Sequence, residues 1–403
     1  MRIKRLELKN FRGFEELTIN FPETPNNVAI FVGVNGSGKT SVLEAIKNLF
    51  DKYIVEVIPY FNKEKLDEPY KLERNIKRGK KFYITSLETD KKITLNQEVN
   101  EIGTEFSIKV PKGINENQVF IKEGLEKVVV FYPTDRYVDT FPSLKIKDIN
   151  FEVELLYTFS NSFNDFFNWF RSHEDYENEQ IRFTDNSKYR NKELEAVRNT
   201  ISIFLPSFSN PRVQRQPQEE LIVEKNGEKL SISNLSHGER LMFAMVGDIA
   251  RRLSIANPGL DDPLQGEGVV LIDEIELHLH PGWQRKIVPL LTKTFPNIQF
   301  ILTTHSPQVI SSVERESVFI LKNFKLAETP YTLGRDSNAI LHDVFEDEER
   351  PEWAREKLRE LYDALDRENV EIAEKLLDEL REAFGDGDAE IQRAETHLSL
   401  ISD

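Results

Sequence analysis

The octapeptide Gly33-Val34-Asn35-Gly36-Ser37-Gly38-Lys39-Thr40 fits G-x-x-x-x-G-K-[ST], and its flanks supply the context that pattern needs. Upstream, Val28 to Val32 is a short unbroken apolar run, as in a strand buried on both faces of a parallel sheet. Downstream, Val42, Leu43, Ile46, Leu49 and Phe50 recur at helical spacing. Strand, glycine-rich loop and helix in that order make a phosphate cradle. The glycines let successive N–H groups face one cavity, and the helix N-terminus adds its positive end. In such a loop Lys39 reaches the β- and γ-phosphates, and the Thr40 hydroxyl ligates Mg2+. Asn35, Gly36, Ser37, Gly38, Lys39, Thr40 and Ser41 are the candidate nucleotide-binding residues.

Three further stretches bear on the same chemistry. Val269 to Ile272 is an apolar run ending in Asp273-Glu274. Asp273 can hold the Mg2+ through water, and Glu274 is placed to orient and deprotonate an attacking water. Alone, two acids at a strand end carry little; beside a phosphate loop they complete it. Leu302-Thr303-Thr304-His305-Ser306-Pro307 puts His305 at another strand end, one βα unit later. Leu235-Ser236-His237-Gly238-Glu239-Arg240 opens a helix. There the Ser236 hydroxyl and the Gly238 N–H form an anion site, while Ser236 with Glu239 also reads as a capping box. The two readings are compatible.

Composition limits the alternatives. The 403 residues include no Cys, so disulfides, thiolate metal sites, iron–sulfur clusters and Cys nucleophiles are excluded. Hydrophobic residues at 39 % and charged residues at 30 % fit an ordinary soluble protein. The apolar stretches are strand-sized, short of the roughly 20 residues a membrane helix needs. The stretch Met1 to Asn10 lacks the apolar core of a secretory signal. A cytoplasmic protein with no membrane contact is expected. The net charge is −16, of which −12 lies between Glu346 and Asp403, where 20 acidic residues face 8 basic ones. The acidity argues against a protein coated in nucleic acid and leaves room for a local basic patch.

Strands alternate with helices around the phosphate loop and again from Gly238 to Leu321, which predicts an α/β fold with parallel βαβ crossovers. Arg2 to Leu8 and Leu17 to Phe21 read as strands around Asn10-Phe11-Arg12-Gly13-Phe14. Glu220 to Ser233 is a hairpin about Asn226-Gly227. Residues 1–50 and 211–330 are assigned to one core, and 51–210 to an insertion. That insertion has antiparallel strands at Phe82 to Leu87, Ile93 to Val99 and Phe106 to Val110, a strand at Lys127 to Tyr132, and helices at Glu152 to Arg171 and Lys192 to Leu205. Residues 331–403 form an acidic helical segment, with Glu352 to Asp366 and Asn369 to Phe384 as a hairpin before a short last helix.

Taken in order, Asn10-Phe11-Arg12, the phosphate loop, Leu235-Ser236-His237-Gly238-Glu239, Asp273-Glu274 and His305 resemble an ABC-type ATPase head of the RecF/OLD/SMC group. The run Asp273-Glu274-Ile275-Glu276-Leu277-His278-Leu279-His280-Pro281 resembles the D-E-P-E-x-H-L-H-P run of OLD-like ATPases, with Ile275 in place of Pro. The resemblance implies an ATPase using ATP and Mg2+. It makes Lys39, Glu274 and His305 catalytic, Thr40 and Asp273 metal-binding, and Arg12 a phosphate contact. It implies a head-to-head homodimer in which Ser236, Gly238 and Glu239 act in trans. Tyr331 to Leu341 and the acidic hairpin resemble the C-terminal part of the ATPase subunits of Septu and some retron anti-phage systems, which implies control of a partner HNH nuclease through nucleotide state. Higher oligomers and contact with DNA are left open, and the alternative is a RecF-like repair or DNA-binding ATPase with no nuclease partner.

The chain departs from the family in one respect. Heads of the SMC type place a Gln after the strand that leads into the insertion, whereas Lys127 to Tyr132 here runs into Pro133-Thr134-Asp135-Arg136. Arg136 is left between a nucleotide or partner contact and a surface salt bridge. His278 and His280 lack a third ligand for zinc and fit a dimer surface, with Pro281 opening the next helix. Lys71 to Lys81 carries six basic residues against one acid, suiting either a solvated loop or a phosphate-backbone contact. Helical pattern after His305 argues against a TOPRIM nuclease domain, and places Asp386-Gly387-Asp388 in a helix–helix turn.

Overall fold

The computed structural model describes residues 2–21, 27–52, 83–89, 94–99, 104–109, 128–136, 164–345 and 350–402. The basic stretch Lys71 to Lys81 and residues 152–163 of the expected aromatic helix lie outside them. The chain forms two units, Met1–Ile340 and Leu341–Asp403.

In the first unit, β1 (Ile3–Phe11) and β2 (Phe14–Asn20) form an antiparallel pair about the tight link Arg12-Gly13. Their buried residues, among them Leu6, Leu8, Phe14, Leu17 and Ile19, alternate with exposed ones, as a sheet with one solvated face requires. The strands β4 (Tyr83–Thr89), β5 (Thr94–Val99) and β6 (Thr104–Lys109) extend this sheet in the order β2-β1-β4-β5-β6. The three expected antiparallel strands of the insertion thus continue the N-terminal sheet.

The central sheet has the order β14-β13-β3-β12-β11-β7. It contains β3 (Val28–Val32), β7 (Val128–Tyr132), β11 (Gly268–Ile272), β12 (Ile298–Thr304), β13 (Val318–Lys322) and β14 (Lys325–Ala327). All adjacent pairs are parallel except β13 with β14. Every residue of β3, β7, β11 and β12 is buried. The strand Lys127 to Tyr132, assigned to the insertion on sequence, hydrogen-bonds in register to β11 and is an edge of this sheet. Its VVVFY run suits such a position, but an apolar run does not name its partner strand.

Helix α1 (Lys39–Lys52) buries Val42, Leu43, Ile46, Leu49 and Phe50 in one core with residues of β1 and β2 and with Phe31, Leu271 and Ile301 of the central sheet. The buried amide of Gln299 ties the two sheets, accepting from the Ile3 N–H at 2.7 Å and donating to the Ile3 carbonyl at 3.0 Å. A third sheet, in the order β10-β9-β8, joins β8 (Phe208–Gln214) to the hairpin of β9 (Glu220–Lys225) and β10 (Glu228–Ser231). Strand β8 was not foreseen: Pro211 and the left-handed Asn210 break its pattern where the register shifts. The remaining long helices of this unit are α2 (Asn164–Thr184), α3 (Lys192–Phe204), α4 (His237–Ala256) and α5 (Pro281–Thr294); a short α6 (Pro307–Ile310) follows β12.

The second unit begins with a short π-helical turn, Leu341–Phe345, and has three long helices, α7 (Glu352–Asp366), α8 (Val370–Phe384) and α9 (Ala389–Ser402), around Leu361, Leu365, Leu377, Leu380 and Ile391. Asn369 caps α8 and Gly385, at φ 81°, ends it. Asp388 is held by Arg350 at 2.8 Å and accepts the N–H of Glu390, so the Asp386-Gly387-Asp388 stretch serves the helix–helix turn.

Candidate functional site

The parallel strands β3, β12 and β11 end along one edge, where open α/β sheets hold ligands. Gly33 to Gly38 leave β3 there and run into α1. Gly38 has a φ of 104°, and a Cβ on it would stand 2.5 Å from the Phe14 ring and 2.9 Å from Phe324; no other residue fits. The aromatic pair Phe14–Phe324, edge to face at 5.2 Å, is the floor that holds the loop against the sheets.

Lys39 is buried, and its ammonium donates to the carbonyls of Gly33 at 2.8 Å and Val34 at 3.1 Å. Burial lowers its pKa; the charges of Asp273, Glu274 and Glu276 oppose that shift. The Thr40 hydroxyl lies 3.2 and 3.0 Å from the two carboxylate oxygens of Asp273, across from β11. A hydroxyl and a carboxylate are the kinds of oxygen donor that a hard divalent cation takes. Ser37 presents a buried hydroxyl with no hydrogen-bond partner, between Gly36 and Gly38 of the loop. An orphaned donor, a converging hydroxyl–carboxylate pair and a buried cation fit a Mg2+–triphosphate group.

Behind them stands a second layer that sequence reasoning missed. Thr303, wholly buried at the end of β12, donates to the Asp273 carboxylate at 2.5 Å and accepts the Glu274 N–H at 2.7 Å. Glu276 accepts from the Thr304 hydroxyl at 2.7 Å and from the backbone N–H of His305. Burial raises the Glu276 pKa, and the neighbouring Glu274 adds to the rise. His305 itself is depressed, first by burial and then by the Lys39 cation, which favours the neutral ring. Arg136 donates to the main-chain carbonyls of Asp273 at 2.6 Å and Glu274 at 2.8 Å. Its hydrogen bonds thus go to backbone and not to a surface carboxylate. Thr303 lay inside the quoted His305 stretch, but nothing in the spacing separates it from an ordinary strand Thr.

Arg12 sits in the β1–β2 link at φ 54°, half-exposed, donating to the Ser41 hydroxyl at 3.2 Å and paired with Glu44 of α1. Asn35 and Gly36 are exposed at the loop tip. Ser236 caps α4 in a full capping box with Glu239, which Lys225 also holds at 2.7 Å. The Ser236 side chain is exposed, and its hydrogen bonds stay within that box. Gly238 is pressed on the turn after β11: a Cβ there would be 2.3 Å from the His278 carbonyl oxygen. The His237 and His278 rings meet edge to face at 4.2 Å. His280 caps α5, which Pro281 opens, and among the described residues no group of three His, Cys, Asp or Glu could hold a metal ion.

Residues 28–311 match the family model described as "AAA domain, putative AbiEii toxin, Type IV TA system". The chain belongs to this AAA family. Its relatives include probable ATPases of retrons and Septu proteins. It is 30 % identical to the "Retron Ec83 probable ATPase" of Escherichia coli over 87 % of this chain and 77 % of that one. It is 27 % identical to the Septu protein PtuA of Bacillus thuringiensis over 92 % of this chain and 90 % of that one. Among solved structures, the SMC head domain from Thermotoga maritima aligns with 82 % of this chain and 99 % of that one, at 18 % identity and a TM-score of 0.45. Among the described residues, no helix is long and apolar enough to cross a membrane.

Proposed function

We propose that this family member hydrolyses ATP at the edge formed by β3, β12 and β11, as a cytoplasmic head-to-head homodimer that controls a partner HNH nuclease in anti-phage defence. The observation that carries the reading is the meeting of Thr40 with Asp273, beside a buried Lys39, at the ends of adjacent parallel strands. Lys39 exchanges its carbonyl partners for β- and γ-phosphate oxygens, and the loop N–H groups and the Ser37 hydroxyl take the rest. Thr40 and Asp273 would hold Mg2+, which when bound would supply positive charge against the phosphates. Glu274 accepts a proton from the attacking water, and the neutral His305 ring donates to the terminal phosphate. Arg12, Asn35, Gly36, Gly38 and Ser41 border the same cradle.

Ser236, Gly238 and Glu239 lie at the start of α4 with Ser236 exposed, and opening the capping box would turn its hydroxyl and the helix N-terminus toward the site of a second copy. Nucleotide then joins two protomers, and its hydrolysis shifts an assembly equilibrium. The retron and Septu relatives support the defence setting. Hydrolysis by the wild type and by Glu274→Gln, with sizing in ATP, tests the reading: the variant should lose turnover and accumulate as an ATP-bound dimer. Equal rates would remove Glu274 from the chemistry. Co-purification of a small HNH protein supports the partner, whereas salt-sensitive DNA binding by the protein alone would favour the RecF-like role.

A further inference from the structure

We infer that Arg136 is a positioning residue for Glu274, fixing the main chain so that its carboxylate faces the attacking water. The inference rests on the reading of Glu274 as the base. Glu274 has a φ of 48°, a left-handed conformation uncommon for a residue with a side chain and one that persists only where its surroundings hold it. Both of its backbone polar groups are held: its N–H donates to Thr303, and its carbonyl accepts from Arg136 Nη2 at 2.8 Å and from the Leu277 N–H at 3.0 Å. Arg136 Nη1 meanwhile donates to the Asp273 carbonyl at 2.6 Å and to the Pro133 carbonyl at 2.9 Å. One planar fork therefore spans two consecutive peptide groups and also reaches the Pro133 carbonyl, just past the end of β7. A lysine, with a single ammonium, cannot reproduce that span.

The choice of partners is informative. Asp273, Glu274 and Glu276 are all close enough to act on the Arg136 charge, yet its hydrogen bonds go to carbonyls. The carboxylates of Asp273 and Glu274 are thereby left for the metal and the water. Losing the fork leaves the Glu274 carbonyl to the Leu277 N–H and takes the side-chain donor off the Asp273 and Glu274 carbonyls, which loosens the left-handed turn and carries the carboxylate off its line. A misplacement of about 1 Å costs on the order of a hundredfold in rate.

The test is a double-mutant cycle in the full-length protein, reading ATP affinity and turnover for wild type, Arg136→Met, Glu274→Gln and the pair, with Arg136→Lys as a milder variant. Arg136→Met should lower kcat about a hundredfold while KM and ATP affinity stay within about threefold. Arg136→Lys should fall between it and wild type. In the Glu274→Gln background, Arg136→Met should change the residual rate by less than about twofold, because both changes act on one step. Arg136 variants with normal kcat, variants that lose affinity instead, or losses that multiply in the pair would each overturn the inference. If Arg136→Met fails to bind ATP because it does not fold, Arg136→Lys decides by the same criteria. Undiminished turnover in Glu274→Gln alone would instead remove the base assignment, and this inference with it.

Discussion

Thr303→Val removes one hydroxyl from the centre of the site and leaves its volume almost unchanged. That hydroxyl is wholly buried and bonded twice, to the Asp273 carboxylate at 2.5 Å and from the Glu274 N–H at 2.7 Å. A buried N–H left without a partner costs about 1–3 kcal/mol, and a hydrogen bond to a charged group contributes about 1.5–3 kcal/mol. Asp273 keeps the Thr40 hydroxyl, so the lower part of each range applies, and the expected loss is about 2.5–4 kcal/mol. Urea unfolding followed by tryptophan fluorescence measures it in the first unit, where Trp169 and Trp283 lie. Trp353 belongs to the second unit and is replaced by Phe in both proteins. The midpoint should fall at unchanged slope, and Thr303→Ser should stay close to wild type. A loss under about 0.5 kcal/mol for the valine variant would refute the pairing of Thr303 with both ends of Asp273-Glu274.

Lys39→Ala should abolish the thermal stabilisation by ATP, worth about 2.7 kcal/mol at a hundred times Kd, which scanning fluorimetry reads directly. Asp248 of α4 is flanked by the buried guanidinium groups of Arg251 and Arg252 and accepts from the Tyr132 hydroxyl at 2.8 Å, and the two arginines hold its carboxyl well below the usual carboxylate range. A depressed carboxylate contributes stability that is complete above its unfolded pKa of 3.8 and lost as pH falls toward the folded value. Asp248→Asn should therefore cost about 3–5 kcal/mol at pH 7, with the gap to wild type closing below pH 3.8 in acid titrations. Gly238→Ala drives a Cβ into the His278 carbonyl. It should leave ATP affinity within about threefold while lowering steady-state hydrolysis about tenfold or more.

Much of this site was legible because its parts are local. The phosphate loop, Asp273-Glu274 and His305 are each a few consecutive residues at the end of an apolar run, and a parallel sheet aligns such ends. The helices α7 and α8 were legible from their apolar spacing, with Asn369 marking the start of the second. What escaped depends on pairing across distance. β7 reads as apolar wherever it lies, and only its register with β11 makes it a core strand. Thr303 and Arg136 act on backbone groups far away in sequence, and a side chain that binds a carbonyl leaves no pattern of residue types. Strand β8 escaped because Asn210 and Pro211 interrupt its alternation.

The claim on which the rest depends is that each site is completed by a second copy, and mixing two inactive variants tests it most directly. Lys39→Ala keeps Ser236 but lacks the lysine of the cradle, and Ser236→Arg keeps the lysine but blocks the contact in trans. Each alone should be inactive. Mixed in equal amounts, half of the dimers are hybrids with one intact site of two, so roughly a quarter of wild-type hydrolysis should return. Full activity in Ser236→Arg alone, or a mixture as inactive as its components, would contradict the account.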